Sequence, residues 1–226
     1  VNVTVPFKNL IIPFLDDLDT VAKETQSVNT LFKVNNKIIG YNTDSLGFKE
    51  TITKLYPHKE NPIKQGPLEG KNVFILGAGG VSSSIIFALY KSGAKIILSN
   101  RTKNKAEELK KLFPKLEILD WGEKPLNCNI VINTTSVGLI KDEEIKIDFS
   151  DYNESPHKDV LFYDLIYNPK ETRFLKSARL RGNKTMNGQM MFLNQAKYAF
   201  NLWTNIIPKI DNEVVKILDK WLKLEF

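Results

Sequence analysis

The chain has 226 residues, 42% of them hydrophobic and 26% charged, with a net charge of +6. This is enough apolar material for one large domain or two small ones, and it excludes a disordered or low-complexity protein. No apolar run is long enough to span a bilayer, no secretory signal is visible, and the lone Cys128 excludes an internal disulfide. Together these point to a reducing, cytoplasmic setting. The lysines are interspersed with acids, as in Lys103 to Lys111, which suits a solvated helix face rather than a nucleic-acid or membrane surface.

The chain opens at Val1 inside a strand-like stretch, so a preceding segment is expected. Residues 2–5 read as a short strand stopped by Pro6. Residues 9–26 read as helical turns broken at Pro13, with Asp19 or Thr20 as N-cap. Strands are predicted at 28–34 and 37–41 around the turn Asn35-Asn36, then a helix from Thr43 to Tyr56. Pro57, Pro62, Gly66, Pro67 and Gly70 mark 57–70 as a linker.

Beyond it the pattern alternates. Strands are predicted at 72–76, 95–99, 116–119, 129–133, 160–164 and 184–186. Helices are predicted at 80–91, 102–112, 170–180, 188–205 and 210–223. Apolar strands alternating with helices imply a parallel sheet covered on both faces. The fold class is therefore α/β: a Rossmann-like, doubly wound parallel sheet domain plus a smaller α/β substrate domain, here incomplete at its N-terminus. The expected division is a partial substrate domain at 1–45, a cofactor domain at 46–187 and helices at 188–226 returning to the first.

Val73-Phe74-Ile75-Leu76 runs directly into Gly77-Ala78-Gly79-Gly80-Val81-Ser82. A strand, a glycine turn and a helix in that order form the dinucleotide fingerprint, except that Ser82 holds the third small position. Gly77 allows the tight turn, and Gly79 lets backbone approach a pyrophosphate at the helix N-terminus. An NAD site usually offers an acid after the next strand. Here the chain has Asn100-Arg101-Thr102, with Lys105 nearby. An acid would repel a 2′-phosphate and an arginine can pair with it, so the cofactor read is NADP. Asn100 or Thr102 also suits a helix cap. The polar run Asn133 to Gly138 follows another buried strand. Thr135 is its best candidate for lining the cofactor, although a hydrogen-bonded turn explains the same residues.

Lys8 follows Asn2-Val3-Thr4-Val5-Pro6-Phe7, and Asp44 closes Gly40-Tyr41-Asn42-Thr43-Asp44. A lysine in water titrates at about 10.4 and is a poor base, so environment must tune any catalytic lysine. Asp44 is the candidate partner that would orient it. Cys128, next to an apolar run, reads as a small packed residue. Met186, Met190, Met191, Phe192 and Leu193 read as core, and Trp203 and Trp221 as packing residues. His58 and His157 sit in polar stretches, and no metal site is expected.

These blocks, with Ser27-Val28-Asn29-Thr30-Leu31, Tyr163-Asp164-Leu165-Ile166-Tyr167-Asn168-Pro169 and Asn187-Gly188-Gln189 through Gln195-Ala196, resemble the shikimate dehydrogenase family over essentially the whole chain. The resemblance implies NADP-dependent interconversion of 3-dehydroshikimate and shikimate. It implies Lys8 as general acid/base with Asp44, and Thr4, Asn29, Asp44, Tyr167 and Gln195 around the substrate. It places Gly77, Ala78, Gly79, Gly80, Val81, Asn100, Arg101, Thr102, Lys105, Thr135, Leu165 and Gly188 on the cofactor. The family's serine-containing segment for the substrate carboxylate has no counterpart here, so no residue is assigned to that group. Rival readings are a quinate/shikimate dehydrogenase using NAD, a non-catalytic sensor of a quinate-like ligand, and one module of a longer multifunctional enzyme. The sequence does not decide between monomer and homodimer.

Overall fold

The computed structural model describes residues 1–57, 66–140, 143–152 and 159–224. His58, His157 and the middle of the predicted linker lie outside them. The chain turns early: the Phe7 amide donates to the Thr4 carbonyl at 2.8 Å. The expected strand at 2–5 therefore shrinks to one antiparallel bridge between Asn2 and Thr30, because the turn takes up the backbone from Thr4 onward.

A short strand not anticipated from the sequence, β1 (Asp17–Leu18), comes next. Two residues are too few for alternation to show. Helix α1 (Thr20–Thr25) starts at Asp19, whose carboxylate accepts from the Ala22 amide at 2.8 Å. Strands β2 (Thr30–Val34) and β3 (Lys37–Tyr41) form an antiparallel hairpin. Its turn residues Asn35 and Asn36 have φ of 46° and 65°, the left-handed pair that a tight two-residue hairpin needs. β1 adds to β3 in parallel, giving a small sheet of order β1-β3-β2. Helix α2 (Asp44–Leu55) leaves that sheet.

The larger sheet is built by β4 (Asn72–Leu76), β5 (Lys95–Ser99), β6 (Glu117–Leu119), β7 (Ile130–Asn133), β8 (Leu161–Asp164) and β9 (Lys184–Met186). Their order is β6-β5-β4-β7-β8-β9, with every neighbouring pair parallel. Strand order reverses between β4 and β7, which opens a crevice at their carboxyl ends. Helices α3 (Ser82–Lys91), α4 (Lys103–Leu112), α5 (Arg173–Leu180), α6 (Gln189–Thr204) and α7 (Asn212–Leu224) complete the chain. Helix α5 begins later than the predicted 170 because Thr172 caps it, accepting from the Leu175 amide at 3.3 Å.

Alternate residues of the central strands feed two cores, as the period of two requires. Val73, Ile75, Ile130, Ile132, Leu161 and Tyr163 face one side, with Phe48 and Ile52 of α2. Phe74, Leu76, Val131 and Phe162 face the other, with Phe149, Tyr152 and Phe174. Each fully buried large side chain contributes roughly 1.5–3 kcal/mol relative to exposure. Cys128 is packed in this second core, and burial pushes its thiol up to about 12. Met191 and Leu193 are buried as expected. Trp221, read as a packing residue, is instead 62% exposed on α7, and Trp203 reaches out to donate to the Leu31 carbonyl at 3.0 Å.

Candidate active site

The glycine turn sits at the reversal point between β4 and β7. Gly77 has φ of +107°, and a β-carbon there would lie 2.7 Å from the Thr135 methyl, so only glycine fits. At Gly79 the situation is opposite: a β-carbon would meet nothing nearer than the Thr134 carbonyl at 4.0 Å. Gly79 and Gly80 border a cavity of about 760 Å3, which Lys8, Asn9, Ser83 and Lys105 also line. The Gly80 and Val81 amides, at the start of α3, find no acceptor among the described residues. Open glycines beneath unsatisfied helix N-terminal amides fit the phosphates of a dinucleotide. Ser82, the departure from the fingerprint, is fully buried. Its hydroxyl accepts from the Gly79 amide at 3.0 Å and shares a hydrogen bond with Thr134 at 2.8 Å, so it fastens the turn to β7.

The residues read as cofactor contacts divide into braces and free groups. Asn100 is a brace: its Oδ1 accepts from the Ala78 amide at 3.0 Å and its Nδ2 donates to the Thr102 carbonyl at 2.7 Å. Thr102 is the N-cap of α4 but makes no side-chain cap bond. Arg101 and Lys105 are exposed and ion-pair with no described residue, whereas Lys103 is taken by Asp120 at 2.8 Å. Thr135 forms the hydrogen-bonded turn, its hydroxyl donating to Asn133 at 2.7 Å and accepting from Val137 at 3.1 Å. Gly188 packs directly on the Leu165 backbone, and its amide donates to the Ile166 carbonyl at 3.0 Å.

The second cluster is made of side chains. Lys8 Nζ donates to Asp44 Oδ2 at 2.5 Å, with both side chains at or below 10% exposure. Asp44 is the first residue of α2, where a carboxylate meets the positive end of the helix. Asn29 Nδ2 donates to Asp44 Oδ1 at 3.0 Å, to Thr43 Oγ1 at 2.8 Å and to Gln195 Oε1 at 3.2 Å. Tyr167 stacks on Phe192 with ring centroids 4.6 Å apart. Thr4 is exposed, and its side chain makes no bond to this cluster among the described residues. Thus Lys8, Asp44, Asn29 and Gln195 come together, and Tyr167 lies on the loop after β8.

Some residues that build this cluster escaped the sequence reading. Gly47 is one: a β-carbon would come within 2.6 Å of the Gln195 amide nitrogen. Only glycine lets α2 and α6 approach closely enough to set Gln195 against Asn29. Thr43 and Asn42 stood inside the Asn-Thr-Asp block, but nothing local marked them as buried. Asn42 Oδ1 accepts from the Ser45 amide at 3.1 Å and so caps α2. Asp164 lies outside this cluster, on the cofactor-side sheet. It is fully buried at the end of β8 and accepts from Thr172 Oγ1 at 2.6 Å, and from the Ile166 amide and Asn133 Nδ2 at 3.0 Å each. Burial pushes its carboxyl up to about 6 despite those donors.

The two clusters meet at Lys8, which lines the cavity bordered by Gly79 and Gly80. A β-carbon on Gly80 would lie 3.9 Å from Lys8 Cβ and 3.8 Å from Asn9 Oδ1. A lysine–carboxylate pair beside a phosphate turn is suited to moving a proton where a dinucleotide exchanges hydride.

Comparison with known proteins gives the family. Residues 61–171 match the family model for shikimate / quinate 5-dehydrogenase, and residues 1–31 that for the shikimate dehydrogenase substrate binding domain. The shikimate dehydrogenase (NADP(+)) of Pelagibacter ubique is 50% identical over 219 residues, covering 96% of this chain and 77% of that one. A crystal structure of a shikimate dehydrogenase in complex with NADP+ superposes with a TM-score of 0.83 at 32% identity, over 97% of this chain and 75% of that one. The shikimate 5-dehydrogenase of Thermus thermophilus in complex with NADP(H) and shikimate gives 0.74 at 31% identity, over 92% and 74%. The chain belongs to the shikimate dehydrogenase family.

Proposed function

We propose that this protein catalyses the NADP-dependent, reversible reduction of 3-dehydroshikimate to shikimate. The observation that carries the reading is the buried Lys8–Asp44 pair with Lys8 packed beside the glycine turn at Gly80. NADP, when bound, supplies or accepts the hydride. Lys8 gives a proton to the reacting oxygen in reduction and takes it back in oxidation. Asp44 holds the Lys8 ammonium in place and offers its remaining acceptor capacity to substrate hydroxyls. Asn29, Gln195 and Thr4 bond further hydroxyls, which a closed site must satisfy because an unpaired buried hydroxyl is costly. Tyr167 walls the pocket.

Gly77, Ala78, Gly79, Gly80 and Val81 hold the pyrophosphate through backbone, with Asn100 and Thr102 shaping the turn. Arg101 and Lys105 take the 2′-phosphate, being charged and uncommitted to any described acid. Thr135, Leu165 and Gly188 line the nicotinamide end. Residues 1–45 with the helices of 188–226 form the substrate side, and 46–187 the cofactor side. The cytoplasm is the proposed compartment.

The test is absorbance-monitored NADPH formation by the full-length protein with shikimate plus NADP, and with quinate and NAD in parallel arms. Formation with shikimate and NADP alone supports the reading. Preference for NAD, or folded protein inert in every arm, would overturn it.

A further inference from the structure

Two side chains of the substrate cluster, Asn29 and Asp44, each stand two residues after one that reaches across to the start of α3. Ser27 precedes Asn29 by two positions. It is fully buried, and its hydroxyl donates to the Gly80 carbonyl at 3.0 Å. Asn42 precedes Asp44 by two positions and is 1% exposed. Its Nδ2 is shared among Thr25 Oγ1 at 3.0 Å, the Ser27 carbonyl at 2.8 Å and Ser84 Oγ at 2.8 Å. Ser84 lies in the first turn of α3, the helix that the phosphate turn opens. The segments carrying Asn29 and Asp44 are thus fastened to the start of α3 at two points.

Resting on the functional reading above, we propose that Ser27 and Asn42 are positioning residues that set the register between substrate and cofactor, with Ser27 also orienting the phosphate-binding backbone. The second part follows from peptide geometry. In a planar trans peptide the carbonyl and the N–H point in opposite directions. Holding the Gly80 oxygen toward Ser27 therefore fixes the direction of the Val81 N–H, one of the α3 amides with no acceptor among the described residues. Without the Ser27 hydroxyl this peptide is free to rotate, and the anion site loses preorganisation. Asn42 restrains the first turn of α3 through Ser84 while its Oδ1 accepts from the Ser45 amide of α2, so the start of α2, which carries Asp44, and the start of α3 are held through one set of buried bonds.

The test is calorimetric titration of NADP into the full-length wild type, Ser27→Ala and Ser92→Ala, with a thermal melt of each. Ser92 is the control: it is equally buried and its hydroxyl donates to the Ala88 carbonyl at 2.8 Å, but it sits at the far end of α3. Ser27→Ala should weaken NADP roughly five- to tenfold, the effect of one net hydrogen bond. Ser92→Ala should bind as the wild type does, with a similar change in melting temperature. If Ser27→Ala does not fold, Ser27→Cys removes the strong donor at nearly unchanged volume. Unchanged NADP affinity in the Ser27 variant, or equal losses in the Ser27 and Ser92 variants, would overturn the inference while leaving the functional reading intact. A wild type that binds no NADP would overturn both.

Discussion

The glycine turn and the Lys8–Asp44 pocket adjoin at Lys8 but are built from different material. The turn is backbone: glycines that leave room, and helix amides without acceptors among the described residues. Its residues follow one another in the chain, with braces from Asn100 and Ser82. The pocket is side chains drawn from distant segments. Lys8 and Asp44 are 36 residues apart, Asn29 and Asp44 are 15 apart, and Asn29 and Gln195 are 166 apart. A backbone site needs absences, such as no β-carbon at Gly77 and no acid among the described residues paired with Arg101. A side-chain site needs every member present and aligned, so its losses should be larger and sharper.

The largest break should come at Lys8. Lys8→Ala should lower kcat by roughly 10²–10⁴-fold, the range of general acid–base catalysis, while sparing NADP affinity. Steady-state kinetics with both substrates varied would show it; an unchanged kcat removes Lys8 from the chemistry. On the cofactor side, Arg101→Ala should raise the KM for NADP by roughly 10- to 100-fold and that for NAD little, as loss of a charge-assisted contact implies. Equal changes for the two cofactors would withdraw the 2′-phosphate assignment.

Gly47→Ala sharpens the comparison further, because here a pocket of side chains depends on one missing carbon. Forcing α2 and α6 apart should cost about 1–3 kcal/mol of stability and raise the KM for shikimate more than that for NADP. Denaturant unfolding and paired KM values would test this, and wild-type values for both would contradict the close-approach account.

The smallest effect concerns Asp164, which joins the loops after β7 and β8. Burial raises its carboxyl to about 6 from an ordinary 3.8, so the folded protein holds this proton more tightly than the unfolded chain does. The associated stability is full at acid pH below the unfolded value and is lost as pH rises through about 6. Asp164→Asn removes the titration. The melting temperature of the variant relative to wild type should therefore shift in the variant's favour between about pH 4 and pH 6. A pH-independent difference would show that Asp164 does not titrate there.

The same contrast explains what the sequence could and could not reveal. The central parallel strands were legible because continuous apolar runs such as Ile130-Val131-Ile132 carry their own signal. So was the turn, because Gly77 and Gly79 follow β4 directly. The hairpin was legible from Asn35-Asn36, which tolerate left-handed backbone. Strand β1 was not, since two residues show no periodicity, and residues 2–5 were overread because the turn at Thr4 is a tertiary outcome. In the pocket, Lys8 and Asp44 stood out through the family resemblance, not through local pattern. Ser27, Asn42 and Gly47 matter through partners far along the chain, so no local pattern exposed them.

The central claim is that the two regions divide the work, one holding cofactor and the other moving the proton. The most direct measurement is the NADP dissociation constant and the saturated turnover rate of Lys8→Ala and Arg101→Ala, side by side. The account predicts that Lys8→Ala binds NADP as the wild type does but barely turns over. It predicts that Arg101→Ala binds NADP weakly yet turns over near normally once saturated. A Lys8→Ala protein that keeps its turnover, or loses NADP as badly as the Arg101 variant, would contradict it.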